Sequence, residues 1–206
     1  IGTDILEGQL FDMAEERKLN PMDYDTTFPK VFKNGGFDAI VGNPPYVKVT
    51  DKNSLSYFQK KFKYQNYQLD LYLLFLERYY DLMKDKADFG VIIPNTWLQS
   101  LTYKNIRTYL VTHFLWEKIL FSKKYIFDAI VDTHVLIFKK DKSTNNDVEI
   151  EIVENEIITN YQNLKQNEFA KDGGIINILA NESQNLLEKK IIENSCLVKD
   201  ISKVYS

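Results

Sequence analysis

The chain has 206 residues, 13 of them Tyr and 13 Phe, and a net charge of −3 at neutral pH. That length gives one domain, or one with the start of another, and a sizeable core; the charge excludes nucleic-acid binding through bulk positive charge but leaves a local basic surface open. One cysteine, Cys196, excludes an internal disulfide framework and a zinc cluster, and suits a reducing, cytoplasmic setting.

Residues 1–6 read as a strand end entering a turn, and residues 7–36 as polar and irregular, with a short helix around 10–17. Phe37-Asp38-Ala39-Ile40-Val41-Gly42 is an apolar run that predicts a buried strand. Residues 47–66 form a Lys- and aromatic-rich loop. Leu71, Leu74, Phe75, Tyr79 and Leu82 keep helical spacing and predict a helix over 70–83, ended by Lys84-Asp85-Lys86-Ala87-Asp88. A strand is expected at 89–94, a helix at 103–114, and strands at 116–121 and 133–138. Residues 139–147 are a linker-like break, 148–158 a half-exposed strand and 181–192 a helix. No run is apolar and long enough to span a membrane, and no signal peptide is visible. A start at Ile1 rather than Met is expected of a piece of a longer protein.

Asn43-Pro44-Pro45-Tyr46 follows the first clear strand. An exocyclic amine conjugated to a ring is a poor nucleophile. The Asn43 side-chain oxygen and the Pro44 carbonyl can each accept one of its N–H bonds, drawing the nitrogen toward tetrahedral geometry. Two prolines stiffen the backbone and remove competing N–H groups. Tyr46 offers a flat face to a base taken out of a duplex. A plain Asn-Pro turn has the same letters.

The context is more specific. Phe28-Pro29-Lys30-Val31-Phe32, Gly35-Gly36-Phe37-Asp38 and Asn43-Pro44-Pro45-Tyr46 together resemble type IIG restriction–modification enzymes and TaqI-like N6-adenine DNA methyltransferases. Gln68–Glu77 resembles their helix after the catalytic motif, and Phe89–Leu98 their next strand and loop. The resemblance covers about residues 1–140 and implies an α/β fold: the C-terminal half of a Rossmann-like, S-adenosylmethionine-dependent sheet with helices on its faces. Residues 133–138 would be its antiparallel final strand, inserted between the two preceding ones.

The resemblance implies Asn43, Pro44 and Tyr46 as catalytic residues, with Pro45 and Phe127 at the substrate. Phe127 would close on the second face of a flipped adenine; as ordinary core it has no such role. Asp70 and Asp4 fall near the cofactor in the family. They read equally as an acid at a helix N-terminus and a turn aspartate. No Gly-x-Gly follows a strand before residue 37, so most of the cofactor cradle is expected upstream in the same polypeptide. Residues 141–206, with 7 Lys against 12 Asp or Glu, would connect to a truncated target-recognition domain downstream.

Lys48, Lys52, Lys60, Lys61 and Lys63 lie against Asp51 alone between residues 47 and 68, with Tyr57, Phe58, Phe62, Tyr64 and Tyr67 interleaved. Lys48, Lys60 and Lys61 are candidate contacts to the phosphates of double-stranded DNA, and an aromatic could stack on a base; the alternative is a solvated, helix-like segment whose aromatics are core. His113 and His134 are lone, on apolar segments, and read as structural rather than as metal ligands. The expected activity is DNA adenine-N6 methylation within a restriction–modification or phage-defence enzyme. Methylation of a protein glutamine or an RNA base, and an inactive DNA-binding fragment, remain open at this point.

Overall fold

A computed structural model describes residues 22–64, 69–122, 132–143, 145–154, 157–169, 174–180 and 182–195. Asp4, Phe127, Tyr67, Cys196 and the strand and helix expected before residue 18 lie outside the described residues.

Two short helices, α1 (Tyr24–Thr27) and α2 (Pro29–Lys33), precede strand β1 (Phe37–Gly42). Asp23 caps α1 by accepting from the Asp25 and Thr26 amides, and Pro29 opens α2, the position where its missing N–H costs nothing. Gly36 then passes hard against the start of β2 (Met83–Pro94): φ is +121°, and a Cβ there would sit 2.5 Å from the Leu82 carbonyl oxygen. Only glycine fits that approach.

Helix α3 (Lys52–Lys61) occupies the segment expected to be a loop. Asp51 supplies its N-cap, accepting from the Ser54 amide at 2.7 Å. Few of its residues are strongly apolar, so the helical period is faint in the sequence. Helix α4 (Leu71–Leu82) buries Tyr72, Leu73, Leu74, Leu76 and Leu82. β2 begins directly after it, six residues earlier than expected. Lys84–Asp88 does not merely end the helix: Lys86 takes a left-handed φ of 64°, its amide donates to the Lys140 carbonyl, and the Lys140 amide donates to Ala87. Helix α5 (Lys104–His113) and strands β3 (Leu115–Ser122) and β4 (Thr133–Lys139) follow.

The strands form one sheet in the order β1-β2-β4-β3, extended by β5 (Asp147–Glu154) and β6 (Ile157–Lys165). β1 runs parallel to β2; β4 lies between β2 and β3, antiparallel to both, as expected for residues 133–138. β5 is parallel to β3 and antiparallel to β6. The single strand expected at 148–158 is therefore two. The domain break expected after residue 140 falls between β4 and β5 of this same sheet.

The core lies where α4 and α5 meet the sheet. Phe89, Phe114, Phe138 and Trp116 are fully buried, with ring centroids 5.9 Å (Phe89–Phe114), 5.6 Å (Phe114–Phe138) and 4.7 Å (Trp116–Phe138) apart. Each ring contributes roughly 1.5–3 kcal/mol of burial free energy. β1 departs from the buried strand expected: none of its residues is buried, and Val41 is 86% exposed.

The chain divides into two compact units at Ile176/Asn177. The second carries α6 (Glu182–Glu193), close to the helix expected at 181–192, with Leu186, Leu187 and Ile191 exposed.

Candidate active site

β1 and β2 end side by side: Gly42 pairs with Val91, which brings Asn43 level with Ile92. The carboxyl ends of parallel strands are where open α/β sheets carry their sites. Pro44 is buried, while Asn43 and Pro45 are exposed and Tyr46 is half-buried. The Tyr46 hydroxyl lies 3.0 Å from Asn43 Oδ1 and 3.0 Å from the Ile92 carbonyl oxygen, so its one proton is shared between two acceptors. These bonds fold the four-residue motif back onto β2. Burial raises the Tyr46 phenol above its ordinary pKa, keeping it a donor. Gly42 leaves room for Tyr79: a Cβ there would sit 2.8 Å from the Tyr79 hydroxyl.

Behind Tyr46 stands Tyr72 of α4, edge to face at 6.2 Å and 82°. Asp70 occupies the N-cap position of α4, only 7% exposed, yet its side chain makes no cap hydrogen bond. It accepts instead from the Tyr103 hydroxyl. Burial, then the Asp70 carboxylate, raise the Tyr103 phenol well above its usual range. The Asp70 backbone also bridges to Lys48, with Val49 donating to the Leu69 carbonyl and Leu71 to that of Val47. The motif's exit and the entry of α4 are thereby one strapped unit.

The loop after β2 is fixed from three sides. The Asn95 amide donates to the Asp132 carbonyl at 2.9 Å. The buried Arg107 Nη1 donates to the Trp97 and Ser100 carbonyls. Trp97 Nε1 donates to His134 Nε2 at 3.2 Å, which places the His134 proton on Nδ1. Full burial drives His134 down to a pKa of about 3, so it is neutral. His113 Nδ1 lies 3.0 Å from the Tyr109 carbonyl oxygen, and its ring packs 4.4 Å from that of Tyr109. Among the described residues no group of three or more His, Cys, Asp or Glu could hold a metal.

Lys52, Lys60 and Lys61 are exposed on α3, and Lys48 is exposed two residues past the motif. Between residues 48–50 and α3 lies a cleft of about 390 Å³ lined by Lys48, Lys52, Ser56 and Gln59 over Leu55 and Leu69. The described aromatics of this segment pack on other rings. Tyr64 stacks on Tyr109 at 4.0 Å, and Phe58 packs on Tyr57 and Phe62. Glu77 receives the Lys63 and Tyr64 amides, tying the end of α3 to α4. No described helix is long and apolar enough to cross a membrane.

Residues 3–127 match the model of the Eco57I restriction-modification methylase family. The chain belongs to that family. It is 29% identical over 153 residues to the type II restriction enzyme and methyltransferase RM.Eco57I of Escherichia coli, covering 71% of this chain and 15% of that protein. A Methanocaldococcus jannaschii protein named as a type II restriction enzyme and methyltransferase is 27% identical over 137 residues, 66% of this chain and 11% of its own. The type II methyltransferase M.HincII of Haemophilus influenzae is 28% identical over 136 residues, 62% and 26% of the two chains. This chain therefore spans about a tenth to a quarter of the relatives it matches. In fold it is similar to the type IIG restriction endonuclease BpuSI, with a TM-score of 0.57, 22% identity, and coverage of 79% of this chain and 23% of that one.

Two site features are not readable from the family-like motif. Tyr103 meets Asp70 across 33 residues of sequence. The Tyr46 bond to Ile92 crosses 46. Both depend on β2 lying beside β1, which no local spacing encodes.

Proposed function

We propose that the protein containing this chain is a site-specific DNA adenine-N6 methyltransferase of a restriction–modification system, using S-adenosylmethionine as methyl donor. The observation that carries this reading is the position of Asn43-Pro44-Pro45-Tyr46 at the carboxyl end of β1, tied to β2 through Tyr46. Family membership and the exposed lysines beside the motif support it.

S-adenosylmethionine supplies a methyl group on a sulfonium, already activated for displacement. The protein's work is to bring an unreactive amine into line with it. The Asn43 side-chain oxygen and the Pro44 carbonyl accept the two amine protons and turn the nitrogen lone pair outward. The ring of Tyr46 supports one face of the flipped base and Phe127 the other, which excludes water and fixes the plane. Positioning supplies most of the rate enhancement. As the nitrogen–carbon bond forms and the carbon–sulfur bond breaks, the nitrogen becomes cationic and releases its proton to solvent, so no strong base is required. Lys48, Lys60 and Lys61 hold phosphates of the duplex.

Of the residues present, Asp70 fits the donor best: a nearly buried carboxylate suits the cationic methionine end. Asp4 is assigned to the same ligand's adenine end, and the glycine-containing part of the cradle to the upstream polypeptide. Residues 141–206 lead toward the part that reads the target sequence.

The test is methyl transfer from labelled S-adenosylmethionine by the full-length protein, offered genomic DNA, RNA and a release-factor-like protein. Label in N6-methyladenine of DNA is expected. Label in protein or RNA alone would replace the substrate assignment, and none anywhere would leave a DNA-binding protein with a degenerate site.

A further inference from the structure

Asp70 stands at the N-cap position with extended backbone angles, φ −88° and ψ 129°. An aspartate there ordinarily accepts from the amides of the helix's first turn. This one does not, although the geometry of the backbone allows it. Among the described residues, the one side chain that donates to it is Tyr103, through Oδ2. Asp70 and Tyr103 are 7% and 8% exposed, so the pair is held in a nearly dry setting where an unbalanced carboxylate is costly. Tyr72, 2% exposed, lies within electrostatic range of Tyr103, Asp70 and Tyr46 together, and its ring meets Tyr46 edge to face. Tyr46 thus bonds to Asn43 and meets the Tyr72 ring, and Tyr72 lies near the bonded pair Asp70 and Tyr103.

We propose that Tyr103 is a positioning residue: its hydroxyl turns the Asp70 carboxylate away from the first turn of α4 and presents the remaining oxygen to the cationic amino-acid end of the methyl donor. This rests on the methyltransferase reading and adds a residue and a ligand atom to it. The phenol engages one carboxylate oxygen, and among the described residues no side chain donates to the other, the arrangement that an incoming ammonium completes. Removing the hydroxyl lets Asp70 fall back to the helix cap. The donor then loses a charge-assisted hydrogen bond at its amino-acid end and nothing at its adenosine end.

The probes are S-adenosylhomocysteine, which carries the amino-acid end, and 5′-methylthioadenosine, which lacks it. Binding of both to the full-length protein is measured by calorimetry for wild type and Tyr103→Phe. S-adenosylhomocysteine is expected to weaken about 10-fold, equivalent to about 1.4 kcal/mol, with 5′-methylthioadenosine within 2-fold. In turnover, Tyr103→Phe raises KM for S-adenosylmethionine and leaves kcat within about 3-fold. Asp70→Asn, which keeps the side-chain volume, is expected to show the same ligand discrimination. Equal losses for both ligands, or none, in a wild type that binds normally would overturn the positioning role alone. No S-adenosylhomocysteine binding by wild type would overturn the methyl-donor reading together with it.

Discussion

The Tyr46 hydroxyl donates to Asn43 Oδ1 at 3.0 Å, the same acceptor that the proposed mechanism gives to the incoming amine. The bond holds the Asn43 amide in a defined orientation before substrate arrives. Because the Ile92 carbonyl lies equally close, the hydroxyl can give up Asn43 without losing a partner.

The ring and the hydroxyl of Tyr46 therefore have separable roles. Tyr46→Phe loses one net hydrogen bond, about 1 kcal/mol, and is expected to keep methyl-transfer rates within about 5-fold of wild type. Tyr46→Ala removes the face that supports the base and is expected to lose at least about 100-fold in kcat/KM. Steady-state kinetics on the two variants checks this; equal loss in both would assign the work to the hydroxyl.

Lys60 and Lys61 sit at the end of α3, exposed, where each would contact phosphate. Converting both to Ala is expected to weaken DNA binding for every sequence alike and to lower the slope of log K against log salt by about 2. Fluorescence anisotropy across a salt series gives that slope. An unchanged slope would move the duplex to another face.

The place of Asn43-Pro44-Pro45-Tyr46 at the end of a strand was legible because the four residues are contiguous and follow an apolar run. So was the insertion of residues 133–138 between β2 and β3. Other parts were not. α3 is dominated by Lys, Ser, Asn and Gln, and its start is marked mainly by Asp51. β6 contains Thr159-Asn160-Tyr161-Gln162-Asn163, polar because much of it faces solvent. Lys84–Asp88 reads as a helix end and becomes strand through pairing with β1 on one side and with Lys139 and Lys140 on the other. Long-range polar contacts such as Asp70–Tyr103 leave no periodic trace.

Gln166 illustrates the same point in the core. It is fully buried: Oε1 accepts from the Trp116 amide at 2.8 Å, and Nε2 donates to the Val111 and Phe114 carbonyls at 2.9 and 2.7 Å. It joins the end of α5 to the start of β3. Gln166→Leu strands those backbone groups and is expected to cost about 3 kcal/mol, read as a shift in denaturation midpoint. A change under about 1 kcal/mol would show that the backbone finds other partners.

His134 makes stability depend on acidity. Its folded pKa of about 3 lies below the unfolded value near 6.5, so the unfolded chain binds the extra proton between them. Its contribution is intact above pH 6.5 and is lost as pH falls toward 3, at about 1.4 kcal/mol per unit. At pH 5 the loss is roughly 2 kcal/mol. His134→Gln is expected to flatten that limb by one proton; denaturation at pH 5 and 7 measures it, and an unchanged slope would give the proton to another group.

In the proposed mechanism Asn43 draws the amine into its reactive geometry. The most direct test is single-turnover methyl transfer by full-length wild type and Asn43→Ala, with DNA affinity measured alongside. A loss of at least about 10²–10³-fold in the transfer rate is expected, with DNA binding within about 3-fold of wild type. Transfer retained near the wild-type rate would contradict that mechanism and remove Asn43 from the chemistry.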